Sequence, residues 1–363
     1  MMNASVLILA PLGALYSAMM RARLALYRSG ALPIHKINSP VISVGNITTG
    51  GTGKTPIVEW VARAAARETA RVCILTRGYG RTDAKRRVLV SDGERISADA
   101  REGGDEPRLL AEMLQGVAAV ISDADRVAAA RWAEENLKSD LFILDDGFQH
   151  LRIARDLDLV AVDATNPWGG GRLLPGGRLR EPLSGLARAD CIILTRAEQS
   201  QDIDALHKQA ERFSNGCPVL LSRTRTKAIR SLDETIIKSA VPDASTHHSS
   251  RITHHSLPQP VAAFCAIGNP ASFFAHLRGD GHTLSYTRAF TDHHVYEQND
   301  IDAIVAEAKR QGARALLTTA KDAVKLRSLR FDLPCYVLEI ELEFDDEEKL
   351  RAMIREAIQK RHV

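Results

Sequence analysis

Val41-Ile42-Ser43-Val44-Gly45-Asn46-Ile47-Thr48-Thr49-Gly50-Gly51-Thr52-Gly53-Lys54-Thr55-Pro56 is the stretch on which the reading of this chain turns. A short apolar run, Val41 to Val44, leads into a glycine-rich turn that closes on a lysine and a threonine. Beyond it Ile57, Val58, Trp60, Val61, Ala64 and Ala65 fall at helical spacing. Strand, glycine loop, helix is the arrangement that holds a phosphate: glycines let successive N–H groups converge, and the helix start adds partial positive charge. In that reading Gly50, Gly51, Thr52 and Gly53 wrap the phosphates, Lys54 reaches the outer ones and Thr55 supports Mg²⁺. The spacing is a variant. The first glycine of G-x4-G-K-[ST] would fall at Thr48, so the run fits x-G-G-x-G-K-T instead. Thr49 stands where some ATPases of that type carry a lysine that reaches across a dimer. The plain alternative is a strand-to-helix turn that contains Gly-Lys-Thr by coincidence, and the correct flanks count against it.

Outward from the loop, short apolar runs alternate with helical stretches. Val72–Leu75, Val117–Ile121, Leu141–Leu144, Leu159–Val162 and Ile192–Leu194 read as strands, and Ile57–Arg67, Pro107–Leu114 and Ala124–Asn136 as helices. Near-continuous apolar strands separated by helices predict a parallel sheet covered on both faces, with ligands beyond the carboxyl ends of the strands. After Val219–Leu221 a polar, histidine-rich stretch at 243–257 interrupts the pattern. It reads as a solvated loop rather than a metal site. A second α/β unit comes next, with strands at Val261–Ala266, Ala315–Thr318 and Tyr336–Leu342, helices at Ser272–Arg278 and Ile301–Lys309, and a closing helix over Asp345–Lys360. The expected organisation is an N-terminal amphipathic helix over 1–30, a phosphate-loop domain over 31–222 and a smaller α/β domain over 223–363.

The strand-end rule directs attention to the residues just past each strand. Leu141–Leu144 runs into Asp145-Asp146-Gly147-Phe148-Gln149-His150, and paired carboxylates there serve Mg²⁺ or cap the next segment. Thr76-Arg77-Gly78-Tyr79-Gly80-Arg81 brings two arginines to the same edge, suited to bidentate phosphate contact or to a solvated turn. Gly104-Asp105-Glu106-Pro107 places acids at a helix start, where one is either a cap or a base for a hydroxyl. The glycine-rich run from Trp168 to Pro182 carries Arg172, Arg178 and Arg180, and Arg180 is placed to stabilise charge on a transferred phosphoryl group unless the loop is simply mobile. Thr291-Asp292-His293-His294 gathers titratable groups, and Thr318-Thr319-Ala320-Lys321-Asp322 puts a Lys-Asp pair after a strand, in the manner of a base-recognition corner.

Composition narrows the classes. The chain has 363 residues, 45% hydrophobic, with a formal net charge of +3, so nothing in bulk argues for nucleic acid. Five scattered cysteines without a C-x-x-C pair read as reduced, buried thiols. Residues 1–20 carry no charged side chain, and Arg21, Arg23 and Arg28 come after them. Asn3, Ser5, Pro11, Gly13 and Ser17 dilute the run for a spanning helix. Leu12, Leu15, Met19, Ala22 and Leu26 form one stripe, which suits a helix lying on a membrane or packed on the protein's own core.

Taken in order, these motifs resemble the tetraacyldisaccharide 4'-kinase family of lipid A biosynthesis. The likeness rests on Gly45-Asn46 with Gly50–Pro56, Arg77–Arg81, Gly104–Pro107, Asp145–His150, Leu173-Leu174-Pro175, Arg180-Glu181-Pro182, Asp292-His293 and Thr319–Asp322, with Ala320 where the family usually has Glu. It implies a P-loop kinase of two α/β domains with the site in the cleft between them. It implies ATP and Mg²⁺, an acylated disaccharide 1-phosphate acceptor, lipid IVA as product, and work at the cytoplasmic face of a Gram-negative inner membrane; an oligomeric partner is not implied. Carried over residue by residue, Asp105, His293, Arg180 and Lys54 are catalytic, and Asp105 with His293 activates the acceptor. Gly50–Thr55, Lys321 and Asp322 hold the nucleotide. Thr55, Asp145, Asp146 and Glu181 serve the metal, and Asn46, Arg77, Tyr79, Gln149 and His150 meet the acceptor. A partitioning-type or metal-insertion ATPase with the same loop is the competing reading, and Thr49 in place of lysine argues against it.

Overall fold

The computed structural model describes residues 4–68, 71–233 and 257–360, with side chains from Leu12 onward. The histidines of 243–256, read from the sequence as part of a solvated loop, lie outside the described residues. In chain order the elements are α1 (Ala4–Arg28), β1 (Val41–Asn46), α2 (Lys54–Ala65), β2 (Val72–Thr76), β3 (Val88–Ser91), α3 (Ala100–Gly103), α4 (Asp105–Met113), β4 (Ala118–Ser122), α5 (Arg126–Asn136), β5 (Leu141–Asp145), β6 (Leu157–Asp163), β7 (Cys191–Thr195), α6 (Ile203–Phe213) and β8 (Val219–Ser231). Then come β9 (Val261–Cys265), α7 (Pro270–Gly279), β10 (Leu284–Ala289), α8 (Gln298–Arg310), β11 (Ala315–Thr319), α9 (Ala320–Leu326), β12 (Cys335–Phe344) and α10 (Glu347–Gln359).

β1, β2, β4, β5, β6 and β7 are buried at every position. That is why they read as unbroken apolar runs rather than alternating ones: helices cover both faces of a parallel sheet. α2 turns Ile57, Val58, Val61, Ala62 and Ala65 onto that sheet. The described strands join one sheet in the order β10-β9-β11-β12-β8-β7-β6-β1-β5-β2-β4-β3. The expected α/β class and parallel sheet hold. What the pattern did not reveal is the join. β8 runs parallel to β7 through Val219–Ser222, then continues as one arm of an antiparallel ribbon with β12, from Ser222↔Phe344 to Ser231↔Tyr336.

The ribbon has a geometric consequence. β12 runs opposite to β8, and β11, β9 and β10 run parallel to β12. The strands of the second unit therefore point back toward the first. Thr195 at the end of β7 aligns with Ser222, while Thr319 at the end of β11 aligns with Leu338, opposite Ile229. The carboxyl edges of both units thus face one another across the ribbon, where ligand sites of open α/β sheets belong.

A boundary at residue 222 does not describe the packing of the last helix. Leu350, Ile354, Ala357 and Ile358 of α10 are buried in the same cluster as Ile57 and Val61 of α2 and Ile42 of β1. β12 carries the chain back, and α10 closes the core of the phosphate-loop unit. β3 and β10, a short antiparallel edge strand and the far edge of the sheet, lack the sustained apolar runs that marked the others.

Candidate active site

The loop after β1 leads directly into α2, whose first residue is Lys54, and Gly53 before it lies in the left-handed region at φ 78°. Gly50 is there too, at φ 103°, and a side chain on it would collide with the Arg178 guanidinium. These positions call for glycine because L side chains are strained at such φ. Asn46 Nδ2 donates to Thr52 Oγ1 at 2.7 Å, and Thr195 Oγ1 donates to the Thr52 carbonyl at 2.9 Å, so the loop is stapled to the ends of β1 and β7. Thr49 donates its N–H to the Arg178 carbonyl at 2.7 Å and accepts from Arg178 Nε at 3.0 Å on its own carbonyl. The position that carries a dimer-bridging lysine elsewhere is here tied to the arginine-bearing loop of the same chain.

Asp146 sits one residue past β5 at φ 52° and binds Lys54 Nζ at 3.3 Å and Arg180 Nη1 at 2.7 Å. Burial works against its charge, but Lys54, Arg180 and Arg126 outweigh it and hold the carboxyl far below the usual carboxylate range. Asp145 is the reverse case. Burial, Glu106 and Asp146 push it up to about 6, and no hydrogen bond or ion pair reaches its carboxylate among the described residues. Arg126, which the sequence did not single out, is buried and donates to the Asp145 carbonyl at 2.8 Å. A buried, electrostatically crowded carboxylate next to Asp146 in the chain suits a hard divalent cation, which is ordinarily held by one or two carboxylates and substrate phosphates.

On the same unit as the loop, Asp105 is the first residue of α4. The cap position is Gly104, which makes no side-chain bond, so Asp105 is not the cap. Its Oδ2 lies 3.5 Å from His293 Nδ1 and 3.6 Å from Lys325 Nζ. Burial raises the Asp105 carboxyl, but the His293 contact and the charges of Lys325, His293 and Lys321 bring it below its ordinary value. His293 is in the left-handed region at φ 62°, a strained conformation for a side-chain-bearing residue, of the kind that clusters at functional sites. The histidine pair divides its work. His294 stacks on Phe290 at 4.6 Å and meets Asp300 at 2.9 Å, so it is structural, while His293 faces the cleft.

A cavity of about 1500 Å³ occupies that cleft, lined by the loop from Gly50 to Pro56, by Tyr79, Asp146, Arg180 and Thr195, and by Asn269, His293 and Lys321 of the second unit. Asp105 borders it through His293. The second unit comes close to the donor loop: a Cβ on Gly51 would sit 3.2 Å from Asn269 N and from Gly268. Asn269 also donates to Asp163 at 2.9 Å, a link between the units that no motif announced.

Three of the expected site residues have other partners here. Glu181 does not line the cavity; it accepts from Arg188 at 2.8 Å and from Gln149 at 2.7 Å. Asp322 is fully buried, accepts from Ala266 N at 3.1 Å and Thr319 Oγ1 at 2.7 Å, and holds a turn. Lys321 reaches the cavity, yet its ammonium is taken by Glu106 and Asp292, each at 3.1 Å. Of the residues expected at the acceptor, Asn46 and Gln149 are engaged behind the loop, Gln149 donating to the Asn46 carbonyl at 2.7 Å. Arg77 is exposed and donates to Tyr79 OH at 3.1 Å. His150, half-buried, is pushed down to about 3 by burial and by Arg126, Arg152 and Arg155, so it is neutral.

α1 lies over this region, with Tyr16 OH donating to the Arg180 carbonyl at 2.8 Å and Arg23 Nη2 to the Gln149 carbonyl at 3.2 Å. Its opposite stripe is open: Leu12, Leu15, Met19 and Leu26 are 51%, 67%, 58% and 46% exposed. No helix among the described residues is long and apolar enough to cross a membrane.

A phosphate-binding loop at a parallel sheet edge, facing a second α/β unit across a cleft that holds an acid and a histidine, defines a P-loop phosphotransferase. The family model for tetraacyldisaccharide-1-P 4'-kinase, LpxK, matches residues 5–359, and the chain belongs to that family. It is 40% identical over 328 residues to the tetraacyldisaccharide 4'-kinase of Desulfotalea psychrophila, covering 90% of this chain and 89% of that protein. It is 36% identical over 344 residues to that of Halothermothrix orenii, covering 92% and 88%. The crystal structure of LpxK from Aquifex aeolicus in complex with ATP matches with a TM-score of 0.75 at 31% identity, over 97% of this chain and 99% of that one.

Proposed function

We propose that this chain transfers the γ-phosphoryl group of ATP to the 4'-hydroxyl of a tetraacylated disaccharide 1-phosphate, forming lipid IVA. The observation that carries the reading is the meeting of Asp105 and His293, from different units, at the edge of the cavity that the Gly50–Thr55 loop lines. Loop N–H groups and Lys54 cradle the donor phosphates, and Arg180 stabilises charge on the group in flight. Asp105 accepts the hydroxyl proton as the new O–P bond forms and the β–γ bridge breaks, releasing ADP. Asp105 is ionised well below neutral pH and so is a weak base. That suits a loose transition state, in which orientation matters more than early proton removal. His293 balances and orients it. Thr55, Asp145 and Asp146 would hold Mg²⁺, which would supply charge neutralisation on the phosphates. The competing ATPase reading has no use for an acid–histidine pair facing the loop.

The acceptor is a lipid, and α1 offers its apolar stripe flanked by Arg21 and Arg28 as a surface that lies on the cytoplasmic face of the inner membrane. The test is incubation with labelled ATP and disaccharide lipid, with label recovered in the lipid fraction. Free phosphate without labelled lipid would overturn the kinase reading in favour of an ATPase.

A further inference from the structure

Lys325 is the most enclosed lysine of the site, with a side chain only 7% exposed. It stands on α9 of the second unit. Its Nζ lies 3.6 Å from Asp105 Oδ2, donates to the His294 carbonyl at 3.0 Å, lies 3.6 Å from Asp322 Oδ1, and sits 5.6 Å above the Tyr296 ring. One ammonium thus touches the acceptor's base, the turn that carries His293, and the buried carboxylate that anchors its own helix.

We propose that Lys325 is a positioning residue for the acceptor-activating pair: it holds Asp105 ionised and aimed at His293, and couples that state to docking of the two units. The inference rests on the reading of Asp105 as the base and goes beyond it. The charges around Asp105 decide the matter. α4 contributes Asp105 and Glu106, the 291–296 segment contributes Asp292, His293 and His294, and α9 contributes Lys321, Asp322 and Lys325. Lys321 is committed to Glu106 and Asp292, and His294 to Asp300. That leaves Lys325 facing Asp105 and Asp322 together. Asp322 is completely buried and fixed by backbone and hydroxyl donors, so the ammonium cannot leave it without exposing an uncompensated charge. Lys325 is therefore held in place under Asp105 whether or not an acceptor is present.

Without that ammonium, Asp105 would share its surroundings with Glu106, Asp292 and Asp322 against Lys321 and the His293 contact, and protonation would become easier. The pH dependence of turnover, with ATP and acceptor saturating, tests this. Lys325→Met should move the acid limb of the kcat profile upward by about one pH unit or more, the usual effect of a single charge at this range. Because that limb starts below the ordinary carboxylate value, the loss should be confined to the acid end: turnover near pH 4 should fall about twofold or more and turnover at pH 7 should be nearly unchanged, with KM for ATP unchanged, while Lys325→Arg keeps the wild-type limb. An unmoved limb in Lys325→Met, or an equal shift in Lys325→Arg, overturns the proposal, because packing alone would then account for the lysine. Lys325→Gln, polar and of similar length, is read by the same criteria should the methionine variant melt below the assay temperature. Asp105→Ala separates the two readings. If it remains active, the base assignment itself is wrong; if it is inactive and the Lys325→Met limb is unmoved, only the role of Lys325 is.

Discussion

The donor loop and the acceptor pair are built in opposite ways. Gly50 to Thr55 is contiguous, its shape set by left-handed glycines and by the strand and helix on either side. Asp105 and His293 are separated by about half of the chain and meet because the β8–β12 ribbon turns the second unit's strand ends back onto the first. A local motif survives small shifts of the rest of the molecule. A pair assembled across two units depends on every contact that sets their relative position, including Lys321–Glu106, Arg327–Glu112 and Asn269–Asp163. Substitutions can therefore be sorted by which half they break.

Lys54→Ala should have the largest effect, a loss of about 10³ in kcat/KM with weakened ATP binding, because it removes a charge from the developing phosphoryl group. Asp105→Ala should lower kcat by about 10²-fold while ATP affinity, read by nucleotide titration, stays within about twofold. Equal damage to ATP affinity in both variants would erase the distinction between donor and acceptor halves.

Asp145→Asn probes the cost of the donor side. Its carboxyl is raised from the ordinary 3.8 to about 6, so in the nucleotide-free protein the buried charge destabilises the fold fully above about pH 6. That penalty fades as pH falls toward the unfolded-state value, because both states are then protonated. The variant should be more stable than the parent at pH 8, by up to about 3 kcal/mol, and nearly equal to it at pH 4, while losing activity. A stability gain that does not shrink on acidification in thermal melts would refute the assignment. The smallest effect is expected at the lipid side. Replacing both Leu15 and Met19 by Glu should weaken binding to anionic vesicles by about tenfold or more and leave ATP binding untouched. Unchanged vesicle binding would remove the stripe from the acceptor half.

The sequence showed more of the donor half than of the acceptor half. Strand ends read as buried apolar runs led to Lys54, Asp146 and Arg180, which the structure brings within hydrogen-bonding or ion-pair distance. Arg126, Lys325 and Asn269 went unnoticed because each sits inside a helix or turn and gains its meaning only from a partner far away in the chain. Glu181 and Asp322 show the converse. A charged residue beside a motif resembles a ligand until its neighbours are known, and Arg188 and the Ala266 N–H turn out to satisfy them. The domain boundary was similarly hidden, since the apolar face of α10 does not say which unit it covers.

By itself, then, the sequence determined the parallel α/β class, the phosphate loop and the apolar stripe of α1, each a product of local spacing, glycine conformation and burial pattern. Only the tertiary structure decided the site. The strand reversal at the β8–β12 ribbon sets which carboxyl edge faces which, and long-range charge pairing decides whether Asp105, Asp145, Asp322 and Glu181 are free to act or already occupied.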